Sequence, residues 1–388
     1  MFHTDIRRSN DGHLYEWAKD VVSQLEPNKD YSINYVGYGQ FDFDQDENLI
    51  GKIFSSKNVI VFCFDFLVKE TIEKIEEQVD KSSDVQLVWV GAQKDVFKHK
   101  RIKTMFWPGD MLLQIKEYGQ LPLIEKNPSE ARHWISTSLG TRQHRIYMAS
   151  LLQGLGLDKH GDLRIKTVSR MGPKAHNVSE ELTKGNGLAP DGEPSLQSYV
   201  QDKWSVPTDK ISEDATRGYE KLIKKNWWGS SIFTYSQYSL LGDYHGSNDA
   251  GNFDKYLRHL YKDKTLEIVN ETCHGHDPVF ITEKFTNAVF GMNFIVMNGS
   301  AGTIGMLEEL GWNSCRHIIN HDYDNIEDPI TRCEQAIRSN YKLFSDPSYC
   351  NKLWSENLPI LENNRTWAKE KLYEKVLQNC QEQLSTVG

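Results

Sequence analysis

Apolar positions recur along this chain in short bursts, separated by charged or Gly/Asn/Asp-rich stretches. Leu14, Trp17, Ala18, Val21, Val22 and Leu25 keep helical spacing and predict a first helix over 13–25. Apolar runs at 32–38, 58–64 and 86–90, with a weaker one at 102–107, have strand length, and the charged segment 69–79 is helix-compatible. Strands and helices alternating in this way predict an α/β layer with a largely parallel sheet. The pattern closes at Leu121-Pro122-Leu123-Ile124, which places a first domain at 1–125.

The pattern restarts after 132. Trp134 and Ile135 run into Ser136-Thr137-Ser138; Gly140 follows, and Met148, Leu151, Leu152 and Leu155 mark the apolar face of a helix. From 171 to 216 the composition turns to Gly, Pro, Asn, Ser and charge, which predicts an insertion over the mouth of a cleft. Leu266, Ile268 and Val269 resume the strand pattern and end in Asn270-Glu271-Thr272. A Gly/His/Asp/Pro loop then leads to a helix opening at Thr282, with Phe285, Ala288 and Val289 on its buried face, and to a strand over 294–297. A helix over 304–310, a last strand over 316–319 and an amphipathic helix over 328–344 complete a second domain at 126–345. The segment 346–388 reads as largely helical, docked in part through Trp354, Leu358 and Leu361.

Composition narrows the function classes only modestly. The chain has 388 residues, enough for two domains with cores of their own, and a net charge of −9. That balance disfavours duplex nucleic acid as a partner, because neutralising phosphates needs a basic surface; a local basic groove is left open. The six cysteines, at 63, 273, 315, 333, 350 and 380, form no CxxC pair and read as reduced thiols of a cytoplasmic protein. The N-terminal residues lack an apolar signal core and no run of apolar residues is long enough to span a bilayer, so a soluble protein is expected. The N-x-S/T triplets at Asn177, Asn270, Asn298 and Asn364 are then coincidental.

The candidate chemistry gathers where strand gives way to helix. In an open α/β sheet ligands bind in that crevice, and a helix N-terminus favours an anion. Thr282 is the expected cap. Lys284 sits in the first turn, where the macrodipole disfavours a cation unless an anion is present. Glu283 and Asn287 lie one turn apart on one face and suit sugar or ribose hydroxyls. Arg142 and Arg145 stand three apart in the first turn of the helix that carries Met148 to Leu155, and arginine binds phosphate bidentately. The alternative in each case is an ordinary solvated first turn. Cys273, His274 and His276 invite a zinc reading, but no second ligand pair completes a site. Trp227 and Trp228 fit either sugar stacking or core packing. The loop 242–254, with Asp243, His245, Asn248 and Asp249, fits donor or acceptor contact.

The order N-E-T…F-I-T-E-K…N-A-x-x-G…I-V-x-x-G over 265–302 resembles the nucleotide-sugar-binding motif of the α-1,3-fucosyltransferase family. It departs from the family at two points: Asn270-Glu271-Thr272 stands where the family carries Glu-Asn-Ser/Thr, and Phe280 replaces a tyrosine. A second stretch resembles the family as well. There a serine-bearing strand end precedes an arginine that opens a helix, matched by Arg145, and a later glycine is matched by Gly161. The resemblance spans 133–311. It implies a GT-B-like α/β fold, with two Rossmann-like domains facing across a cleft and a helical C-terminus that crosses back to the first domain.

It also implies a glycosyltransferase that moves a sugar from a nucleotide diphosphate sugar, GDP-fucose in the family, to a hydroxyl acceptor such as a glycan. Inversion, no metal and no cofactor beyond the donor co-substrate are expected. Arg142, Arg145, Asn270, Glu271, Thr282, Glu283, Lys284 and Asn287 would form the donor site. A carboxylate of the first domain would act as base, with Asp42, Asp44, Glu47 and Asp65 as candidates. Because this chain lacks the membrane anchor of secretory fucosyltransferases, a bacterial or viral enzyme of the cytoplasm is expected. Three rivals remain open. Asp42 and Asp44 form a D-x-D that would hold a divalent ion in a metal-dependent transferase. A phage or viral enzyme would glycosylate modified DNA bases. A non-catalytic module would bind nucleotide or sugar and transfer nothing.

Overall fold

The computed structural model describes residues 32–36, 58–63, 67, 69–82, 84–119, 122–138, 143–165, 195–197, 208–224, 258–272, 274–275 and 278–385. Two four-stranded sheets, each wholly parallel, organise them. The first comprises β1 (Ser32–Val36), β2 (Asn58–Cys63), β3 (Gln86–Gly91) and β4 (Ile102–Phe106), hydrogen-bonded in chain order. Helix α1 (Lys69–Lys81) connects β2 to β3. Alternate residues of the strands face opposite layers. Val59, Val61, Cys63, Leu87 and Trp89 pack with Ile75 and Val79 of α1. Ile60, Phe62, Val88 and Val90 join the larger core with Met111, Leu112 and Ile115 of α2 (Gly109–Tyr118). Burial on both faces explains why these strands read as continuous apolar runs rather than alternating ones.

The second sheet comprises β5 (Trp134–Ser138), β6 (Gly161–Ile165), β7 (Leu266–Asn270) and β8 (Phe294–Asn298), in the order β6-β5-β7-β8. Helix α3 (Gln143–Gly154) follows β5. Helix α4 (Glu213–Lys224) lies against it at backbone contact: a Cβ on Gly218 would stand 1.8 Å from the Ser150 carbonyl oxygen, and one on Gly154 1.8 Å from that of Asp214. Gly161 has a similar role, since a Cβ there would enter the Trp134 ring. The short helix α5 (Arg258–Tyr261) precedes β7, α6 (Glu283–Phe290) joins β7 to β8, and α7 (Thr303–Glu309) follows β8. The remainder is α8 (Pro329–Arg338), α9 (Tyr341–Ser345), α10 (Pro347–Glu356), α11 (Leu358–Glu370) and α12 (Leu372–Ser385).

The two sheets are tied together. The ring of Tyr118 in α2 meets Phe290 of α6 edge to face at 5.7 Å. Helix α12 returns to the first sheet, with the Cys380 thiol donating to the Phe106 carbonyl and Tyr373 against Trp107. Gln93, just past β3, makes an antiparallel bridge with Phe280, just before α6. The connection between the sheets is pinned by Lys126. Its Nζ donates to the carbonyls of Tyr261 (2.9 Å) and Lys264 (2.6 Å) and to Asn293 Oδ1 (2.7 Å). Three acceptors match the three N–H donors of an ammonium, so the cage holds the charged form even though burial pulls the Lys126 pKa down to about 7. Burial likewise pushes the neighbouring Glu267 carboxyl up, to about 8.

Several expectations change. Residues 316–319 form a turn rather than a strand: the N–H groups of Ile318 and Ile319 both bond to the Cys315 carbonyl, which leaves them unable to join a ladder. The helix expected over 328–344 is two helices, because Asn340 turns its amide to the carbonyls of Asn320 and Ala336. Prolines 347 and 359 help divide the C-terminal helical segment into three. The expected 171–216 insertion overreaches at its end, where Ser212 accepts from the Ala215 N–H and α4 begins at Glu213. The 13–25 helix, Asp42, Asp44, Glu47, Asp65, Arg142, Trp227, Trp228, Cys273, His276 and the 242–254 loop lie outside the described residues. No described helix is long and apolar enough to cross a membrane.

Candidate functional site

The chain runs from β5 outward to β6 and then returns past β5 to β7. The carboxyl ends of β5 and β7 therefore flank a topological switch point, the place in an open α/β sheet where ligand crevices form. The polar residues of the second sheet collect at its strand ends. Asn270 donates to Ser136 Oγ (2.8 Å) and accepts from Asn298 Nδ2 (2.6 Å), so a ladder of three side chains crosses β5, β7 and β8. It continues through the Cys333 thiol, which donates to Asn298 Oδ1 and lies 3.3 Å from His274 Nε2. His274 stacks on His144 with ring planes 5° apart, and His144 Nε2 meets the Glu271 carbonyl at 2.8 Å. Burial, with the Arg332 charge beside it, keeps His274 neutral by pulling its pKa well below the usual imidazole range.

Glu271 is fully buried, and its carboxylate accepts from the Thr282 N–H (3.2 Å) and hydroxyl (2.6 Å). Thr282 is the N-cap of α6 in extended conformation, as its sequence position predicts. Because its hydroxyl proton points to Glu271, its oxygen lone pairs are turned to Lys284, whose Nζ donates to it at 2.8 Å. The same ammonium meets Glu283 Oε1 at 2.9 Å. A cation in the first turn of a helix costs about 0.3–1 kcal/mol, whereas breaking a largely buried ion pair costs about 3–5 kcal/mol. The local pairing outweighs the macrodipole, so a neighbouring carboxylate supplies the anion that the position of Lys284 calls for. Burial alone would raise the Glu283 pKa; Lys284 and Arg145 outweigh it and hold the carboxyl below the usual range. Burial raises that of Glu271, with Lys284 opposing.

Arg145 is 4 % exposed and reaches from α3 toward the carbonyls of Glu271 (3.3 Å) and Asn270 (3.5 Å). The fold thus brings together Arg145, Asn270, Glu271, Thr282, Glu283 and Lys284 from two stretches far apart in the chain. Asn287 stands one turn along α6, half-buried, with an Oδ1 that is buried and accepts no hydrogen bond. Asn270 and Glu271 are committed to internal hydrogen bonds, whereas the Glu283 side chain is 19 % exposed and lies nearest solvent.

Sequence reasoning missed Arg332, which is 2 % exposed in α8. Its guanidinium donates to the carbonyls of His274, Gly275, Gly299, Ile326 and Glu327, and so clamps the loop between the two halves of the motif. An arginine between two polar-looking turns of an amphipathic helix carries no local signal of this. Nor does Asp324, whose carboxylate already caps the N-terminus of α7 through the N–H groups of Ile304 and Gly305. Among the described residues no group of His, Cys, Asp and Glu is arranged to hold a metal ion.

Fold and site together define a parallel α/β protein with a cluster of largely buried charged residues at the switch point of its second sheet. Comparison of the chain with protein-family models, with curated proteins and with solved structures yields no match.

Proposed function

We propose that this chain is a glycosyltransferase of GT-B architecture that uses a nucleotide diphosphate sugar, similar in its second sheet to α-1,3-fucosyltransferases. The observation that carries the reading is the convergence of Arg145 with Lys284, Glu283 and the capped N-terminus of α6 at the switch crevice. A diphosphate placed there meets two cations and a helix N-terminus, and charge developing on it as a leaving group is stabilised where it forms. Glu283 and Asn287, on the open side of the helix, suit ribose or sugar hydroxyls.

In the reaction the acceptor oxygen attacks the anomeric carbon and the bond from that carbon to the diphosphate breaks. The acceptor proton passes to a carboxylate of the first domain, among Asp42, Asp44, Glu47 and Asp65. One displacement inverts the anomeric centre. With two cations on the diphosphate, catalysis needs no divalent metal, and activity should survive a chelator.

The test is thermal-shift binding over a panel of nucleoside diphosphates and nucleotide sugars, followed by transfer and hydrolysis assays with the donor that binds. Stabilisation by one nucleotide, lost in Lys284→Ala and Arg145→Ala, supports the donor site. Binding without sugar release under any acceptor would mean a non-catalytic module. A panel without binding removes the glycosyltransferase reading.

A further inference from the structure

Of the four charged side chains described at this site, Arg145, Glu271 and Lys284 are buried, and the Glu283 carboxylate is partly open to solvent. It lies between solvent and the Lys284 ammonium, which it contacts at 2.9 Å. Besides Lys284, Glu283 accepts from its own backbone N–H, and the α6 cap is made by Thr282, which is held by Glu271. Residues adjacent in a helix do not normally face each other, so this pair exists because both side chains turn into the same crevice.

Resting on the donor-site reading above, we infer that Glu283 is a resident counter-ion that an incoming diphosphate must displace from Lys284. The charges explain the consequence. Among the described residues Lys284 is paired with Glu283 at 2.9 Å, so its charge is already balanced when the site is closed. A mono-anion that replaced Glu283 would exchange one negative charge for another, against a carboxylate tethered at an effective concentration of about millimolar or more. It gains nothing. A diphosphate carries enough charge to satisfy Lys284 and Arg145 together after Glu283 swings to water. Glu283 thereby sets a threshold: it excludes carboxylates and neutral sugars, and admits anions that carry two or more charges, diphosphates among them. Once displaced, the carboxylate stands beside the ligand, free to accept a hydroxyl proton of the ribose or sugar.

The experiment is calorimetric titration of inorganic pyrophosphate and acetate into wild type, Glu283→Gln and Lys284→Met. Pyrophosphate should bind wild type, bind Glu283→Gln about tenfold more tightly, and be lost from Lys284→Met; acetate, a mono-anion, should bind Glu283→Gln alone. Glu283→Ala serves the same purpose if the glutamine variant melts at a lower temperature than wild type. If Lys284→Met loses pyrophosphate while Glu283→Gln binds it equally or more weakly, the counter-ion role is wrong and the anion site stands. If pyrophosphate binds no variant and no nucleotide stabilises the wild type, the donor-site reading fails and this inference fails with it.

Discussion

The two sheets are built alike and end differently. Both have four parallel strands, and β2 and β3 of the first and β7 and β8 of the second are largely buried. In the first, hydrogen-bonded in simple chain order, β2, β3 and β4 end in Cys63, Gly91 and Phe106. In the second, whose order reverses at β5, β7 and β8 end in Asn270 and Asn298, which are joined to Ser136 in the middle of β5, with Arg145, Glu271 and Lys284 above them. Buried polar groups survive only when hydrogen-bonded. A ladder of them at one sheet's ends, and at a switch point, marks where the molecule maintains polarity at a cost the other sheet's described strand ends avoid. Function is expected at the second sheet, with the described part of the first supplying the packed wall against which it is set.

This contrast can be broken in several ways. The largest expected effect is on binding. Lys284→Ala and Arg145→Ala should weaken the nucleotide that stabilises wild type by about a hundredfold, the loss of one charge-assisted contact of about 3 kcal/mol. Lys94→Ala, which cuts the Lys94–Glu309 ion pair at the rim of the first sheet, should leave binding unchanged. Equal losses in both places would erase the distinction.

Next come the buried anchors. Arg332→Met and Lys126→Met should each lower unfolding free energy by about 3–5 kcal/mol in urea titrations, because each orphans several carbonyl acceptors. Arg332→Met should also weaken nucleotide binding, since its clamp holds the 274–275 loop; Lys126→Met should not.

Acid sharpens the comparison further. Burial pulls the His321 pKa down to about 4, and lowers those of His133 and His274. A folded state that keeps these rings neutral binds fewer protons than the unfolded chain below about pH 6.5, so stability falls as the pH drops through that value toward 4. His321 alone accounts for about 3 kcal/mol of the loss at pH 4. All three histidines lie beyond residue 125, in the part of the chain that builds the second sheet and the helices after it, and His321→Gln should flatten the slope of stability against pH measured by denaturant unfolding. The smallest effects are on single neutral hydrogen bonds and exposed pairs: Ser136→Ala should cost about 1 kcal/mol, and Lys94→Ala under about 0.5 kcal/mol.

Much of this fold was legible from local pattern. The apolar runs at 58–64, 86–90 and 294–297 are strands because burial on both faces demands continuous β-branched and aromatic residues, and Thr282 caps its helix because a hydroxyl there satisfies an orphan N–H. The strand expected at 316–319 failed because two isoleucines in sequence say nothing about whether a sheet edge is within reach; Cys315, at φ 59°, turns the chain instead. Within the crevice, Lys284 and Arg145 were readable as cations misplaced at helix starts. Their internal partners were not. Glu283 is next to Lys284 in sequence, where helical geometry argues against contact, and Glu271 reaches Thr282 across a sequence separation of eleven. Arg332, fifty-eight residues beyond His274, has no sequence signal at all. Tertiary closure decides these, and periodicity does not report it.

Hydrogen exchange read by mass spectrometry, with and without the nucleoside diphosphate that gives the largest thermal shift, tests the central claim most directly. Slowed exchange confined to the segments around 139–147 and 271–290, at the carboxyl ends of β5 and β7, is the result expected of a donor site at the switch point. Slowed exchange at 64–68 and 92–100, beyond β2 and β3, or no change with any nucleotide, would contradict it.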